Sequence, residues 1–459
     1  MSAEPSRRRF RYFYGWNIVA VAAIAQLAGT ASNNTMLGIF MPAMEQDLGV
    51  SRAAISGIST VARLVESFIA PLVGILLDRG WHKWLVVGGA LLAGIGFALP
   101  GTSDELWQIY VLRGLVVGIG VAGFGRLVMS VTISNWFIAK RGRAMGISAI
   151  GGSGGALLLA PLSAWMLTTL GWRWGWAILG LMIWLLVLVP GALFMVRRPE
   201  DVGLTPDGAP PPSASPPPSP SASPQPSPSP SPPPSPSNEG PPGGASQPPA
   251  VLTEEDSWTL HDALRTRAFW LLIVALGVGE LAQQAVNLHL FPYLYDLGYS
   301  PLVGASIITL RGVISVTSAP LWGLLSEQVP PRGLLIATFA QYAFGIYMLL
   351  QADSLAGVFL AVGIYGLALS GTNVIAEVAW AEYFGRRSLG AIRGASMPVS
   401  VLLTAFGPLA AGLLYTATGS YSLAFHGIVA ASALSAVLTF ACTRPIRRKV
   451  APPMTRPDL

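Results

Sequence analysis

A single guanidinium group stands in the middle of a long apolar segment. Arg311 lies in the sequence TLRGVIS, and no other residue between Pro301 and Leu325 carries a charge. A permanently charged side chain costs about 3 kcal/mol or more at the centre of a bilayer, so it faces a cavity or a partner group and marks a functional site. We therefore expect Arg311 to anchor an anionic substrate. A structural ion pair, for example with Glu280, is the alternative.

Polar residues at helical spacing in two other apolar segments predict the walls of such a cavity. The seventh segment carries Glu280, Gln283, Gln284 and Asn287, and the first carries Gln26, Thr30 and Asn33. Each set falls on one face of its helix. The side chains expected to bind the substrate are Arg311, Gln26, Asn33, Gln283 and Asn287.

Titratable side chains in the apolar segments are candidates for proton coupling. Glu280 is the leading proton carrier, and the sequence leaves open whether burial or a nearby arginine governs its proton affinity. His289 could titrate near neutral pH, or it could be a hydrogen-bonded lining residue. Glu66 is a third candidate, although it could instead pair with Arg63, three residues before it on the same helix face.

The composition is that of a polytopic membrane protein. Charged residues make up 11% of the chain against roughly 25% in soluble domains, and hydrophobic residues make up 52%. The mean hydropathy is +0.55. A pI near 9.6 would suggest nucleic acid in a soluble chain, but here the basic residues occupy short loops and tails. We expect a monomer in a lipid bilayer that binds no nucleic acid. Cys442 is the only cysteine, so no disulfide framework is expected.

The apolar segments predict an all-α membrane protein with twelve transmembrane helices, because about 20 residues are needed for each crossing. The predicted spans are Tyr14–Ile39, Arg52–Leu77, Trp84–Pro100, Leu106–Trp136, Met145–Thr168, Trp174–Val196, Ala268–Leu294, Pro301–Leu325, Gly333–Leu350, Leu355–Tyr383, Leu389–Tyr415 and Tyr421–Cys442.

Lysines and arginines in the connections predict the orientation. With a cytoplasmic amino terminus, the inside segments hold 22 of the 28 basic residues. The outside connections hold Arg52 and Arg173, and the others lie within spans. The positive-inside rule therefore predicts a multi-pass protein of the cell (cytoplasmic) membrane with both termini cytoplasmic.

A stretch rich in Pro, Ser and Gly divides the chain into two parts of six spans. Such a composition cannot bury enough apolar surface to fold, and it predicts a disordered cytoplasmic linker. A proline-rich ligand for an SH3-type partner is the less favoured interpretation. The expected domains are an amino-terminal tail (1–13), an amino-terminal bundle (14–198), the linker (199–257), a carboxyl-terminal bundle (258–443) and a basic tail (444–459).

The two parts repeat each other. The sequence DLGVS at 47–51 returns as DLGYS at 296–300, and APLVGILLD at 70–78 returns as APLWGLLSE at 319–327. Both pairs share the offset 249. Such repeats predict two pseudo-symmetric six-helix bundles, related by an axis along the membrane normal, with a site between them near the midplane.

At these residues the chain resembles the major facilitator superfamily of secondary transporters. The motifs that carry the resemblance are GILLDRGWHK at 74–83 and Leu112-Arg113 with Gly118 and Gly120. Shorter motifs resemble the branch of oxalate/formate antiporters and monocarboxylate transporters: YGW at 14–16, NWF at 135–137, KRGRAMG at 140–146, His289 with PYL at 292–294, and YFGRR at 383–387.

The resemblance implies that Arg311 is the carboxylate-binding arginine of the eighth span. Two departures favour a singly charged acid. Ile307 stands where the monocarboxylate type has an acidic residue, and the middle of the eleventh span lacks the lysine of the oxalate type.

Residues toward the cytoplasmic side are expected to control gating. The resemblance makes Asp78 a conformational latch, with Arg79 and the loop at Arg141 as possible donors. Arg126 and Glu377 are interpreted as gate residues, with fixed packing pairs as the alternative. The gating set is Asp78, Arg79, Arg113, Arg126, Arg141 and Glu377.

Together these features predict a secondary active transporter of a small, monocarboxylate-like organic anion, driven by protons and using no cofactor. The alternatives are an oxalate/formate-type exchanger, a drug/proton antiporter and, from a different class, a non-transporting membrane sensor. An enzyme is not expected, because the sequence lacks a recognisable pairing of nucleophile and base and its histidines show no metal-binding spacing.

Overall fold

The protein is a bundle of membrane-length helices. The computed structural model describes residues 13–138, 140–208, 258–385 and 389–445. Within them, 11 helical stretches are long and apolar enough to cross a membrane. One of these, Gly142–Phe194, holds two spans, because Gly171 adopts φ 80° and ψ 169° and breaks the helix. The predicted twelve-helix fold is thereby confirmed.

The helix bounds follow the apolar segments closely. In chain order they are α1 (Gly15–Leu48), α2 (Arg52–Asp78), α3 (His82–Ala98), α4 (Leu106–Trp136), α5 (141–170), α6 (172–194), α7 (Arg267–Asp296), α8 (Pro301–Ser326), α9 (Pro331–Leu350), α10 (Leu355–Phe384), α11 (Leu389–Thr418) and α12 (Ser422–Ala441). A short helix, Leu260–Leu264, precedes α7.

Helix α1 departs from the prediction in length and in continuity. It extends to Leu48 rather than ending at Ile39, and a 3₁₀ turn, Thr30–Ser32, followed by an extended Asn33 interrupts it. The added turns carry Glu45 and Asp47, and both carboxylates are paired with arginines.

The predicted linker begins with ordered chain. Two 3₁₀ turns, Pro199–Val202 and Pro206–Gly208, follow α6, and the Asp207 carboxylate accepts a hydrogen bond from the backbone amide of Ile138 at 2.9 Å. The rest of the predicted linker, 209–257, lies outside the described residues. The domain division therefore stays a prediction.

The internal repeat also appears in the backbone of the two halves. Ser51 and Ser300 cap α2 and α8 by accepting from the amides of Ala54 and Val303. Just before these caps, Gly49 and Gly298 have φ of 64° and 85°, a conformation that favours glycine. The repeated DLG and Ser residues thus make the same turn in both halves.

A second repeated contact lies where the fourth helix of each half ends. Trp136 Nε1 donates to the carbonyl oxygen of Val196 at 3.0 Å. Tyr383 OH donates to the carbonyl oxygen of Cys442, also at 3.0 Å. In each half an aromatic donor therefore ties the end of the fourth helix to a backbone carbonyl within two residues of the end of the sixth helix.

The halves meet tightly at one end. Helix α1 packs on α7 and α2 packs on α11. A Cβ atom on Gly38 would lie 2.1 Å from the carbonyl oxygen of Leu288, and one on Gly412 would lie 2.7 Å from Ser56 Oγ. Only glycine permits this approach of the two backbones. We call this contact, at the end of the molecule that carries Gly38, Ser56 and Gly412, the closed end.

The Gly38→Val substitution should open the closed end, because its side chain would overlap the backbone of α7. Overpacking of this kind costs about 1–3 kcal/mol, which shifts the equilibrium between the closed and open forms about 5- to 150-fold. A Ser56→Cys reporter, fully buried at this end, should then react faster with a maleimide. The native Cys442 contributes little background, because its side chain is fully buried.

Gly427→Val serves as the control, because a Cβ there meets nothing within 4 Å. Equal labelling rates in the two variants would contradict the assignment of Gly38 to a tight contact.

Candidate functional site

Arg311 is buried at the contact between the two halves. It is 7% exposed, its Nη1 donates to Asn287 Oδ1 at 2.6 Å, and its Nη2 donates to Thr35 Oγ1 at 3.3 Å. Both partners are neutral. Within the described part of the chain Arg311 forms no ion pair, and the expected alternative partner, Glu280, does not contact it. The positive charge is therefore held by neutral groups alone.

Arg311 lines a cavity of about 210 Å³. We call it the Arg311 cavity. Its walls come from both halves and include Thr30, Asn33, Thr35, Glu280, Gln283, Gln284, Asn287, Ser315 and Asn373. The structure thus brings four of the five predicted substrate-binding residues together with the leading proton carrier.

Glu280 is exposed and lines the Arg311 cavity from α7. Glu280 forms no ion pair within the described residues. Its carboxylate therefore faces the cavity without a paired cation.

The break in α1 exposes polar residues to the cavity, and Arg113 stabilises that break. Arg113 is 3% exposed, and its Nη2 donates to the carbonyl oxygen of Ala31 at 3.2 Å. Its guanidinium lies 4.3 Å from the ring centroid of Phe97 and 4.8 Å from that of Trp176. Cation–π contacts of this kind stabilise a desolvated arginine.

A second cavity of about 550 Å³ is lined by the amino-terminal half and by Asn373 of α10. We call it the N-half cavity. It shares Thr30, Asn33 and Asn373 with the Arg311 cavity. Four other predicted residues line it: Gln26, Glu66, Arg113 and Arg126. Gln26 of α1 also donates from Nε2 to the carbonyl oxygen of Ser148 at 3.1 Å, which holds its side chain against α5.

An arginine that the sequence analysis treated only as a loop residue joins the halves at the closed end. Arg52, 4% exposed, donates from Nη1 and Nη2 to the two carboxylate oxygens of Asp296 at 2.6 and 2.7 Å. Its Nε donates to Glu45 at 2.8 Å, and its guanidinium lies 4.1 Å from the Tyr415 ring centroid. The signal in the sequence was its position directly after the repeated DLGVS motif.

His289 lies beside this ion pair rather than in the Arg311 cavity. It is fully buried, with Nδ1 2.9 Å from Tyr421 OH and Nε2 2.8 Å from the carbonyl oxygen of Pro408. The Tyr421 hydroxyl can donate to Nδ1 of His289 while Nε2–H donates to the Pro408 carbonyl. The contacts are those of a hydrogen-bonded packing residue.

The predicted gating residues are dispersed. Asp78 and Arg79 are exposed at the end of α2 opposite the closed end. Glu377 pairs with Arg393 on α11 rather than with Arg126. Arg141 begins α5, and its side chain lies outside the described part of the structure. The gating roles therefore stay predictions.

The chain matches a known protein family over most of its length. A family model described as Major Facilitator Superfamily matches residues 23–310 and 283–457. Monocarboxylate transporter 4 of Gallus gallus is 23% identical over 92% of this chain and 81% of its own length. Human monocarboxylate transporter 2 is 22% identical over 91% and 84%, respectively. The oxalate:formate antiporter of Oxalobacter formigenes is 24% identical over 70% and 64%.

Solved structures show the same fold at low identity. A D-xylose–proton symporter aligns with a TM-score of 0.67 and 14% identity, covering 93% of this chain and 98% of its own. A bacterial homologue of the human lysosomal transporter Spinster, inward-facing and occupied, aligns with a TM-score of 0.67 and 14% identity, covering 96% and 97%.

The Arg52→Gln substitution should weaken the closed end, because it leaves the carboxylates of Glu45 and Asp296 without their cation. Breaking a buried ion pair costs about 3–5 kcal/mol, and less here because both carboxylates are partly exposed. Spin labels on the exposed residues Glu105 and Asp353, at the same end of the two halves, should report a longer distance.

Arg173→Gln is the matched control, because Arg173 pairs at the same end with Asp47 and Asp104 of its own half. It should leave the label distance unchanged. If both variants lengthened the distance equally, Arg52 would have no special role in closure.

Proposed function

Because the chain belongs to the Major Facilitator Superfamily, we propose that it carries a small organic anion across the cell membrane by alternating access. Arg311 holds the carboxylate of the substrate. The observation that carries this proposal is a buried guanidinium, paired only with neutral groups, on the wall of a cavity between the halves.

The chemistry of the guanidinium supports this role. It has five N–H donors, of which two are used by Asn287 and Thr35. An incoming carboxylate can accept two parallel bonds from it, and such charge-assisted bonds are about twice as strong as neutral ones. A buried positive charge without an anion is unfavourable, so binding the substrate relieves that cost.

A monocarboxylate is the simplest substrate that the Arg311 cavity suits. One guanidinium within about 210 Å³ matches one carboxylate on a small carbon skeleton. The monocarboxylate transporters among the relatives support the same class.

The closed end supports the alternating-access part of the proposal. The hydrogen bonds described between the halves come from residues 34–60 of the amino-terminal half. One example is Thr60 Oγ1, which donates to the carbonyl oxygen of Ala405. The positive-inside rule assigns this end to the outside. In our proposal the cavity is therefore reached from the cytoplasm, and breaking the Arg52–Asp296 contact begins the opposite state.

Glu280 couples transport to protons in this proposal. It shares the Arg311 cavity and is exposed there, so its proton can be exchanged in the same state that releases the substrate. A protonated Glu280 also removes a negative charge that would repel the incoming carboxylate. Exchange of anions without protons is the competing mechanism.

Arg311→Gln should abolish uptake of labelled lactate, pyruvate and formate by the purified protein in liposomes. Losing a buried charge-assisted pair costs about 2–5 kcal/mol, so uptake should fall at least about 30-fold. Arg311→Lys should recover little, because a lysine cannot present the bidentate fork. Arg265→Gln, at an exposed position outside α7, is the control. Undiminished uptake by Arg311→Gln would show that Arg311 does not bind the carboxylate of the substrate.

Glu280→Gln should separate substrate binding from proton coupling. The neutral amide cannot carry a proton, so a pH gradient should no longer drive accumulation, while exchange of labelled for unlabelled lactate should persist. The measurement is uptake in liposomes with and without a pH gradient. Gradient-driven accumulation that survives the substitution would assign coupling elsewhere, and wild-type uptake indifferent to pH would favour anion exchange.

A further inference from the structure

A third cavity, of about 500 Å³, lies in the amino-terminal half, at the end of the molecule that carries the closed end. We call it the Trp174 cavity. Its lining includes Asp47 of α1, Thr102 just after α3, Leu170 at the end of α5, and Arg173 and Trp174 at the start of α6. It shares no lining residue with the Arg311 cavity or the N-half cavity. A ligand held there is therefore separate from the substrate proposed above.

One wall of the Trp174 cavity continues into the surface that faces the bilayer. Leu170 and Trp174 line the cavity and also expose large apolar side chains. Leu181 lies two turns further along the same face of α6 and is exposed as well. Tryptophans are enriched where a span meets the membrane–water interface. An acyl chain that leaves the cavity would therefore lie against apolar side chains of α6.

The Trp174 cavity also has a charged wall. Arg173 pairs with Asp47, which lines the cavity, and with Asp104 at 3.4 Å. Two carboxylates thus share one guanidinium, and the site keeps one negative charge in excess. A ligand that suits this wall carries a cation for the carboxylates and an anion for the arginine.

Asp47 keeps an acceptor for a further donor. Trp172 Nε1 donates to Asp47 Oδ2 at 3.0 Å, and Arg173 Nη1 donates to the same oxygen. No described residue donates to Oδ1. Trp172 itself is buried, and the Arg173 guanidinium lies 4.5 Å from its ring centroid. The group that best completes this wall is a cation with N–H donors, because such a cation makes charge-assisted hydrogen bonds to a carboxylate.

The internal repeat shows that Asp47 is not needed for closure. The offset of 249 maps Asp47 onto Asp296, the aspartate that Arg52 binds across the two halves. Asp47 instead pairs with Arg173 of its own half. The two equivalent aspartates therefore differ: one joins the halves, and the other lines a cavity at the edge of the molecule.

We propose that the Trp174 cavity binds a membrane phospholipid with a primary ammonium group, of the phosphatidylethanolamine type. The ammonium donates to Oδ1 of Asp47, the phosphate accepts from Arg173, and the acyl chains lie against Leu170 and Trp174. The positive-inside rule assigns this end to the outside, so the lipid belongs to the outer leaflet. This proposal does not rest on the proposed function, because it uses no residue of the transport site.

The charges of the wall favour this headgroup over the other common ones. A choline headgroup has the same net charge but no N–H donor for Asp47. A glycerol headgroup has no cation, and its phosphate would bring a further negative charge to a site that already has one in excess. An ethanolamine headgroup supplies both the donor and the balanced charge. The bilayer delivers this ligand directly, because it surrounds the helices that form the cavity.

The test measures lipid binding to the purified full-length protein in detergent by native mass spectrometry. The probes are phosphatidylethanolamine, phosphatidylcholine and phosphatidylglycerol with identical acyl chains. The wild type should bind one phosphatidylethanolamine at least about fivefold more tightly than the other two lipids. Asp47→Asn should remove this preference, because the amide carries no charge. Ala177→Phe, which adds bulk to the lining, should lower binding of that lipid by a similar factor.

Asp353→Asn is the matched control, because Asp353 is an exposed aspartate at the same end of the other half. It should keep the preference of the wild type. Equal binding of the three lipids, unchanged in Asp47→Asn and Ala177→Phe, would identify only the lipid that surrounds every span and would overturn the proposal. So would tighter binding of phosphatidylcholine. Soluble phosphoethanolamine that displaces the lipid at equal concentration would also overturn it, since the acyl chains would then contribute nothing.

Discussion

The structure depends on one buried positive charge that no described carboxylate compensates. Arg311 is held by an amide and a hydroxyl, from opposite halves, and no described carboxylate neutralises it. A guanidinium in this setting is stable only if it stays next to a polar cavity. Three features keep that cavity between the bundles: the interruption of α1, the polar face of α7 and the hydrogen bond from Arg311 to Thr35.

The buried arginine at the closed end, Arg52, differs from Arg311 in its partners. Arg52 is also buried, but it is fully paired, with two carboxylates and two aromatic rings around it. Arg52 therefore joins the two halves through ion pairs, while Arg311 has no carboxylate partner among the described residues. The two arginines differ because the fold places carboxylates next to Arg52 and places only neutral groups next to Arg311.

Most of the fold could be predicted from local and repetitive signals. Apolar length identified the spans, and the repeated DLG and Ser residues identified the two halves, because each makes its turn from its own backbone chemistry. The break in α1 could not be predicted in this way. The backbone there is contacted by Arg113, which is distant in sequence and donates to the carbonyl oxygen of Ala31.

The sequence by itself determined the twelve-helix class, the two halves and the grouping of Arg311 with the polar face of α7, because periodicity and offset place these residues without knowledge of packing. Tertiary structure alone decided which charges are paired: Glu377 with Arg393, Arg52 with Asp296, and Arg311 with no carboxylate in the described chain. It also moved His289 from an expected lining position into the closed end. The reason is that pairing and burial depend on distances between helices, which a linear pattern does not contain.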